Sequence, residues 1–182
     1  RWWSIGLASV VALLGLLSLL EFALRVDLGV DQLLFAEPEG MNGILPPGRM
    51  SPVSAASFAL LGVAIGLVGL RRAALAAQRL AASVGVLVSL EVLAYAYGAA
   101  NIAGLSLYLR TPVNTAVALG MLVAASLLSQ PSAGLMRTLL ERDLGGWLLR
   151  RLAPTLLLIL PILGWLKLYG ERRGQLAGPF GL

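Results

Sequence analysis

The chain has 182 residues, of which 58% are hydrophobic and 13% are charged, and its formal net charge is +5. Its apolar runs approach the ~20 residues that a helix needs to cross a hydrocarbon core, and they lack the alternation of polar and apolar positions found in outer-membrane barrel strands. The absence of cysteine and histidine excludes disulfides, thiolate chemistry and imidazole-ligated metal or haem sites. The composition therefore predicts a helical integral membrane protein that binds no nucleic acid.

Five apolar runs predict five complete membrane-spanning helices. The expected helices lie at about 4–24, 53–70, 80–98, 113–129 and 152–168. The apolar residues after Pro179 predict the start of a sixth span, so the chain is expected to belong to a longer protein. The predicted fold class is all-α, a polytopic transmembrane helix bundle.

An internal repeat divides the single membrane domain 1–182. Segments 10–70 and 80–129 each contain two apolar runs, a polar loop between them and a Ser/Thr-Pro-Val helix start, which predicts two helical hairpins of the same orientation. Residues 130–151 have the spacing of an amphipathic helix on the cytoplasmic membrane surface, and 152–182 contain the fifth helix and an outer loop. The corresponding positions of the hairpins are Gly15 with Gly85, Glu21 with Glu91, Pro52 with Pro112 and Val53 with Val113.

The distribution of cations predicts the orientation. The connection after the second span and the connection between the fourth and fifth spans are rich in arginine, which favours the cytoplasmic side for both and for the N-terminus. The loop 25–51 has an acidic excess, as expected outside. Lys167, Arg172 and Arg173 follow the fifth span on the outer side and do not fit this pattern.

Two acids within the apolar runs are the main functional candidates. An ionisable side chain inside a span costs about 3 kcal/mol or more and usually faces a partner or water. Glu21 has Arg25 four residues later, the favourable order for an ion pair, and Glu91 has Tyr95 at the same spacing. The alternative is that both acids are solvated near the headgroups or paired, and only hold the helices in register.

Ser51-Pro52 and Thr111-Pro112 are typical helix starts, with a capping hydroxyl before a proline at the first helical position. Ser54 and Asn114 come one turn later, where they are expected to line a shared cavity near two positive helix ends. The predicted ligand-binding set, in the outer half of the bundle, is Glu21, Glu91, Arg49, Arg110, Asn101, Asn114 and Ser54. No catalytic motif is complete, and no cofactor or metal site is expected.

The stretches LLSLLEFALRVDLGVDQLLF, PPGRMSPVSAASFALLG and GGWLLRRLAPTLLLILPILGWLKLYGERRGQL resemble the membrane-embedded N-terminal sensory regions of multidomain bacterial signalling proteins. In that family such helices precede PAS or GAF modules and a histidine kinase or diguanylate cyclase. The residues 47–52 match the pattern P-G-R-M-[SA]-P that the family has after the first loop, whereas Val53, Ser54 and Ala55 depart from the Asn-Thr-Ala that follows it.

The resemblance implies a non-enzymatic sensor or anchor in the bacterial inner membrane, which passes a signal to a cytoplasmic kinase or cyclase, as in a two-component system. It also implies that the full-length protein forms a homodimer within the lipid bilayer. Two alternatives stay open from the residues alone. One is an ion or small-solute transport or channel module, and the other is a structural subunit of a membrane complex.

The predicted orientation can be tested by labelling single cysteines, because the chain contains none. We expect an impermeant thiol reagent to label Glu39→Cys in intact cells and to leave Ala76→Cys unlabelled until the cells are opened. Labelling of position 76 but not position 39 in intact cells would show that the orientation is inverted.

Overall fold

The structure is a computed structural model that describes residues 2–27, 29, 49–70, 73–96, 111–141 and 143–172. Within these residues the protein forms six helices and no strands. The helices are α1 (Trp2–Leu24), α2 (Pro52–Leu70), α3 (Ala74–Ala96), α4 (Val113–Leu128), α5 (Gly134–Leu140) and α6 (Leu144–Arg172). The predicted all-helical architecture is therefore confirmed, and the expected sixth span after Pro179 lies outside the described residues.

Three helices, α1, α2 and the 74–95 part of α3, are long and apolar enough to cross a membrane among the described residues. With 16 residues, α4 is apolar but shorter. A helix of that length measures about 24 Å, less than the ~30 Å of a hydrocarbon core. The three long helices indicate a membrane protein, whereas the spanning of α4 and α6 stays a prediction.

Two helix boundaries differ from the predicted ones. α3 begins at Ala74 rather than near residue 80 because the intervening ALAAQR stretch consists of strong helix formers, which continue the helix beyond the apolar run. α6 begins at Leu144 rather than near residue 152, so the last part of the predicted connector 130–151 belongs to this helix. Asp143 starts the helix instead, since its Oδ1 atom accepts a hydrogen bond of 2.7 Å from the Gly146 amide.

Helix α1 packs against α2 through small side chains that bring the two backbones close together. A Cβ atom added at Gly15 would lie 2.5 Å from the Ala59 nitrogen, and one added at Gly62 would lie 2.6 Å from the Ala12 nitrogen. Small residues of this kind allow membrane helices to gain dispersion energy from direct backbone contact. The buried residues of α1 are Ala8, Ala12, Gly15, Ser18 and Glu21.

Helix α2 has two buried faces and lies at the centre of the bundle. Each residue turns a helix by about 100°, which places Ala55, Ala59 and Gly62 on the face toward α1 and Leu61 and Ala64 on the opposite side. That second face contributes to an apolar core shared with α3 and α4. The buried core residues are Leu61, Ala64, Ala81, Val84, Val88, Ala116, Leu119 and Val123.

The helices form an open arrangement rather than a closed ring. The main contacts of α1 are with α2, whereas α2 also contacts α3 and α4. The second hairpin packs less closely than the first, since a Cβ atom at Gly85 would lie 3.3 Å from a side-chain methyl of Val123. At the far end, α5 contacts α3, α4 and α6, and the main contacts of α6 are with α5. Helix α6 thus lies outside the two helix pairs α1–α2 and α3–α4.

Glycine positions in α2 offer a matched test of this packing. We expect Gly62→Ala to destabilise the protein by about 1–3 kcal/mol, because the added methyl meets the α1 backbone and the helices must separate. Gly66→Ala is the control, since a Cβ atom there has nothing within 4 Å and alanine favours helix. Thermal unfolding of both purified variants measures the difference, and equal stabilities would contradict the close approach of α1 and α2.

Candidate functional site

Two polar networks occupy one end of the bundle, where α1 and α3 end and α2 and α4 begin. The side chains of Glu21, Ser51, Ser54, Glu91 and Thr111 are all buried there, although the surrounding helices are apolar. Burial of a polar group without a partner costs free energy, so the partners of these five side chains determine how the end of the bundle is built.

The first network joins Glu21 to Arg49. Glu21 is fully buried, and its Oε2 atom lies 3.9 Å from Arg49 Nη2, on a side chain that is only 7% exposed. The same guanidinium donates a hydrogen bond of 3.3 Å to the carbonyl oxygen of Val26 and lies 3.6 Å from Asp27 Oδ1. Arg49 therefore balances the buried carboxylate and holds the end of α1 against the start of α2.

Arg25 is not the partner of Glu21, and the end of α1 shows why. Arg25 has a φ of 55°, in the left-handed region, and the Val26 amide donates to the Glu21 carbonyl oxygen at 3.2 Å. This is a Schellman motif, which ends the helix before Arg25 can take its place one turn above Glu21. The predicted Glu21–Arg25 pair is therefore wrong, and Arg25 is exposed.

The second network is a chain of hydroxyl groups that ends at Glu91. Thr111 Oγ1 donates to Glu91 Oε1, and Ser54 Oγ lies 2.5 Å from Thr111 Oγ1. Ser51 Oγ donates to Ser54 Oγ at 3.0 Å. Because each hydroxyl has one hydrogen, donation runs from Ser51 to Ser54, then to Thr111 and to the carboxylate. The chain connects the acid of α3 and the start of α4 with the start of α2.

Glu21 and Glu91 differ in the group that balances the charge of the carboxylate. Glu21 has an arginine, whereas no ion pair of the described residues includes Glu91. The Oε2 atom of Glu91 is buried and has no hydrogen-bond partner among the described residues. Tyr95, which the sequence places one turn later, is 66% exposed. Oε2 is therefore an acceptor position to which a proton or a small cation can bind.

The capping prediction is confirmed for Ser51 and wrong for Thr111. The Ser54 amide donates to Ser51 Oγ at 3.2 Å, which is the expected cap of α2. At α4 the N-cap residue is Pro112, which makes no side-chain cap bond, and the hydroxyl of Thr111 donates to Glu91 instead. The cap is missing because α4 begins at Val113, one residue later than this motif requires, which places Pro112 rather than Thr111 at the N-cap position.

Of the predicted ligand-binding set, the structure brings Glu21 together with Arg49 and Glu91 together with Ser54. Asn114 is exposed, so it does not join Ser54 in a shared cavity. The prediction for Asn101 and Arg110 lies outside the described residues. Thr111 and Ser51 belong to the network but not to the predicted set, although a hydroxyl directly before each proline was the available indication.

Comparison of the chain with models of protein families, with curated proteins and with solved structures found no match. Among the described residues, no group of three or more aspartate, glutamate, histidine or cysteine side chains is placed to hold a metal ion. The chemistry available at this end of the bundle is thus that of carboxylates, hydroxyl groups and one guanidinium.

Thr111 is the central link of the hydroxyl chain and can be tested alone. We expect Thr111→Val to lower the free energy of unfolding by about 1–3 kcal/mol, because it leaves the buried Glu91 carboxylate without its donor while keeping the side-chain shape. Thr115→Val, one turn into α4, makes the same change outside the network and should be nearly neutral. Chemical unfolding of both variants in detergent compares them; equal losses would contradict the role of Thr111.

Proposed function

We propose that the chain is a non-enzymatic membrane sensor or anchor domain that passes a signal to a cytoplasmic output domain. The observation that supports this function best is the hydroxyl chain from Ser51 to Glu91, which links the two hairpins through an acid that has no cationic partner among the described residues. A stimulus that adds a proton or a small cation to the Glu91 carboxylate changes the hydrogen bonds between α2, α3 and α4. Such a change biases the bundle between two packed arrangements.

The path to the output runs through α5 and α6. Arg150, in the second turn of α6, donates to the carbonyl oxygen atoms of Leu139 and, at 3.0 Å, Glu141, at the end of α5. Since α5 contacts α3 and α4, a shift of those helices is transmitted to α6 through this connection. In the proposed arrangement the sequence after α6 leads to a kinase or cyclase, as the resemblance implies.

In this proposal the hairpins are a pseudo-symmetric repeat and α4 and α6 complete five spans in the bacterial inner membrane, with the N-terminus in the cytoplasm. The apolar surface of α6 supports insertion and pairing with a second copy. Leu158 is 62% exposed and Leu163 is 57% exposed, and contact with lipid or with the α6 of a second copy would remove both from water.

Transport of protons or of a small cation is the second candidate, because the buried Oε2 atom of Glu91 has no partner among the described residues. Flux through liposomes that contain the purified chain separates the two functions. A sensor gives no Glu91-dependent flux of protons, Na⁺ or K⁺, whereas a transporter gives a flux that Glu91→Gln abolishes.

Glutamine replacements in the full-length protein test the sensor directly. We expect Glu91→Gln to change kinase or cyclase output at least threefold with a normal yield of folded protein, because the amide keeps the size of the side chain but cannot carry the carboxyl charge or proton. Glu21→Gln should lower the yield, since it leaves Arg49 without its buried counter-charge.

Glu141→Gln is the matched control, because the side chain of this partly exposed acid pairs with Arg137 outside both networks, while the contact with Arg150 uses only the backbone carbonyl, which the substitution keeps. It should change neither yield nor output. Normal output from Glu91→Gln at a normal yield would contradict the sensing role of Glu91.

A further inference from the structure

A groove between α3 and α5 lies at the end of the bundle opposite Glu91. Its volume is about 590 Å³. Its apolar walls come from Leu75, Ala82 and Val86 of α3 and from Leu135 of α5. Leu75, Val86 and Leu135 are 48%, 61% and 43% exposed, so the groove is open to the surroundings of the span.

The wall formed by α5 is held in place by a polar contact of Gln78 on α3. Gln78 is 1% exposed and donates from Nε2 to the carbonyl oxygen of Gln130 at 2.9 Å. Gly134 begins α5 with a φ of 47°, and a Cβ atom there would lie 2.5 Å from Gln78 Oε1. The absence of a side chain at Gly134 therefore lets α5 approach α3 closely enough to form the groove.

Arg79 is the charged residue of the groove. Its side chain is exposed and belongs to no ion pair of the described residues. The two hydroxyl groups of the groove are occupied by backbone acceptors, since Ser83 donates to the Arg79 carbonyl oxygen at 3.0 Å and Thr138 to that of Gly134 at 3.3 Å. The guanidinium thus provides the hydrogen-bond donors for a ligand.

The other arginines described at this end have partners. Arg137 pairs with Glu141 at 2.7 Å, Arg150 donates to the carbonyl groups that end α5, and Arg151 lies 5.2 Å from the centre of the Trp147 ring. Arg79 differs from them because its guanidinium stands beside an apolar groove. Arg79 lies about 8 Å along α3 from the first residue of that helix, and from this depth an arginine side chain can reach the lipid headgroups.

We propose that this groove binds one anionic phospholipid, with its phosphate on Arg79 and an acyl chain along Ala82 and Val86. The charge of the guanidinium selects the anionic headgroup, and the apolar walls select a lipid over free phosphate. Because α5 forms one wall and connects the bundle to α6, a bound lipid fixes the position of α5 relative to α3. This regulatory part rests on the proposed sensor function, whereas the binding site does not.

Binding is tested on the purified chain by native mass spectrometry, in a titration with phosphatidylglycerol and with phosphatidylcholine of the same acyl chains. We expect phosphatidylglycerol to bind at least tenfold more tightly than phosphatidylcholine. Arg79→Gln should weaken its binding at least tenfold, and Arg137→Gln, which removes the same charge from the outer surface of α5, should leave it unchanged. Equal losses in the two variants would show adsorption to surface charge and overturn the site.

Ala82→Phe tests the groove with every charge kept, and circular dichroism and gel filtration confirm that each variant is folded. The added ring should fill the groove and weaken phosphatidylglycerol binding by a similar factor. Unchanged binding to a folded Ala82→Phe variant would overturn the site, as would complete displacement of the lipid by millimolar inorganic phosphate.

The regulatory part has its own measurement. Spin labels at Ala76→Cys and Leu140→Cys, both exposed, report the distance between α3 and α5 in nanodiscs. We expect a narrower distance distribution in phosphatidylglycerol than in phosphatidylcholine, and no difference in Arg79→Gln. Equal distributions would overturn the proposed regulation of α5. If Glu91→Gln fails to alter output, the sensor proposal fails, but the results expected for lipid binding and for the distance measurement stay the same.

Discussion

A polar group buried in an apolar bundle needs a partner within the protein, and this requirement determines how the helices meet at one end. Glu91 lies on α3, and its nearest donor, Thr111, stands before α4. Thr111 in turn contacts Ser54 on α2. The acid thereby fixes the relative positions of three helix ends, which apolar packing alone would leave free to slide.

The close contact of α1 with α2 provides a second constraint of a different kind. Backbone-to-backbone packing at Gly15 and Gly62 tolerates no added methyl group, so these two helices move as one body. The core between α2, α3 and α4 is packed through side chains, among them Leu61 and Leu119, rather than through direct backbone contact. Any rearrangement of the bundle is therefore easier between α2 and the second hairpin than within the first.

The sequence predicted those features that follow from local periodicity and composition. The helical fold, the long apolar spans and the burial of two acids were predictable, because the length of an apolar run and an isolated charge within it can be read directly from the sequence. The cap of α2 by Ser51 was predictable for the same reason. Glycine alone does not identify a close helix contact, since a Cβ atom at Gly62 would meet the α1 backbone whereas one at Gly66 or Gly120 has nothing within 4 Å.

The pairings within the site could not be predicted, because they depend on how helix ends are oriented in space. The left-handed turn at Arg25 separates it from Glu21, and Arg49 reaches that acid from a distant part of the chain. Thr111 resembled Ser51 in sequence, yet its hydroxyl donates to a carboxylate that only the tertiary fold brings near. The exact residue at which α4 begins, Val113, and the approach of Glu91 to Thr111 have no signature in a linear pattern.

The hydroxyl chain allows a change at Glu91 to affect hydrogen bonds on the neighbouring helices. Ser51, Ser54 and Thr111 each carry a single hydroxyl hydrogen, and all three now point toward Glu91. A proton added at Oε2 of Glu91 neutralises the carboxylate and weakens the hydrogen bond that Thr111 donates to Oε1, whereas a proton added at Oε1 makes the carboxyl the donor and turns the hydrogens of Thr111 and Ser54 toward Ser51. In either case a protonation event on α3 alters a chain of hydrogen bonds that ends at Ser51, the residue that caps α2.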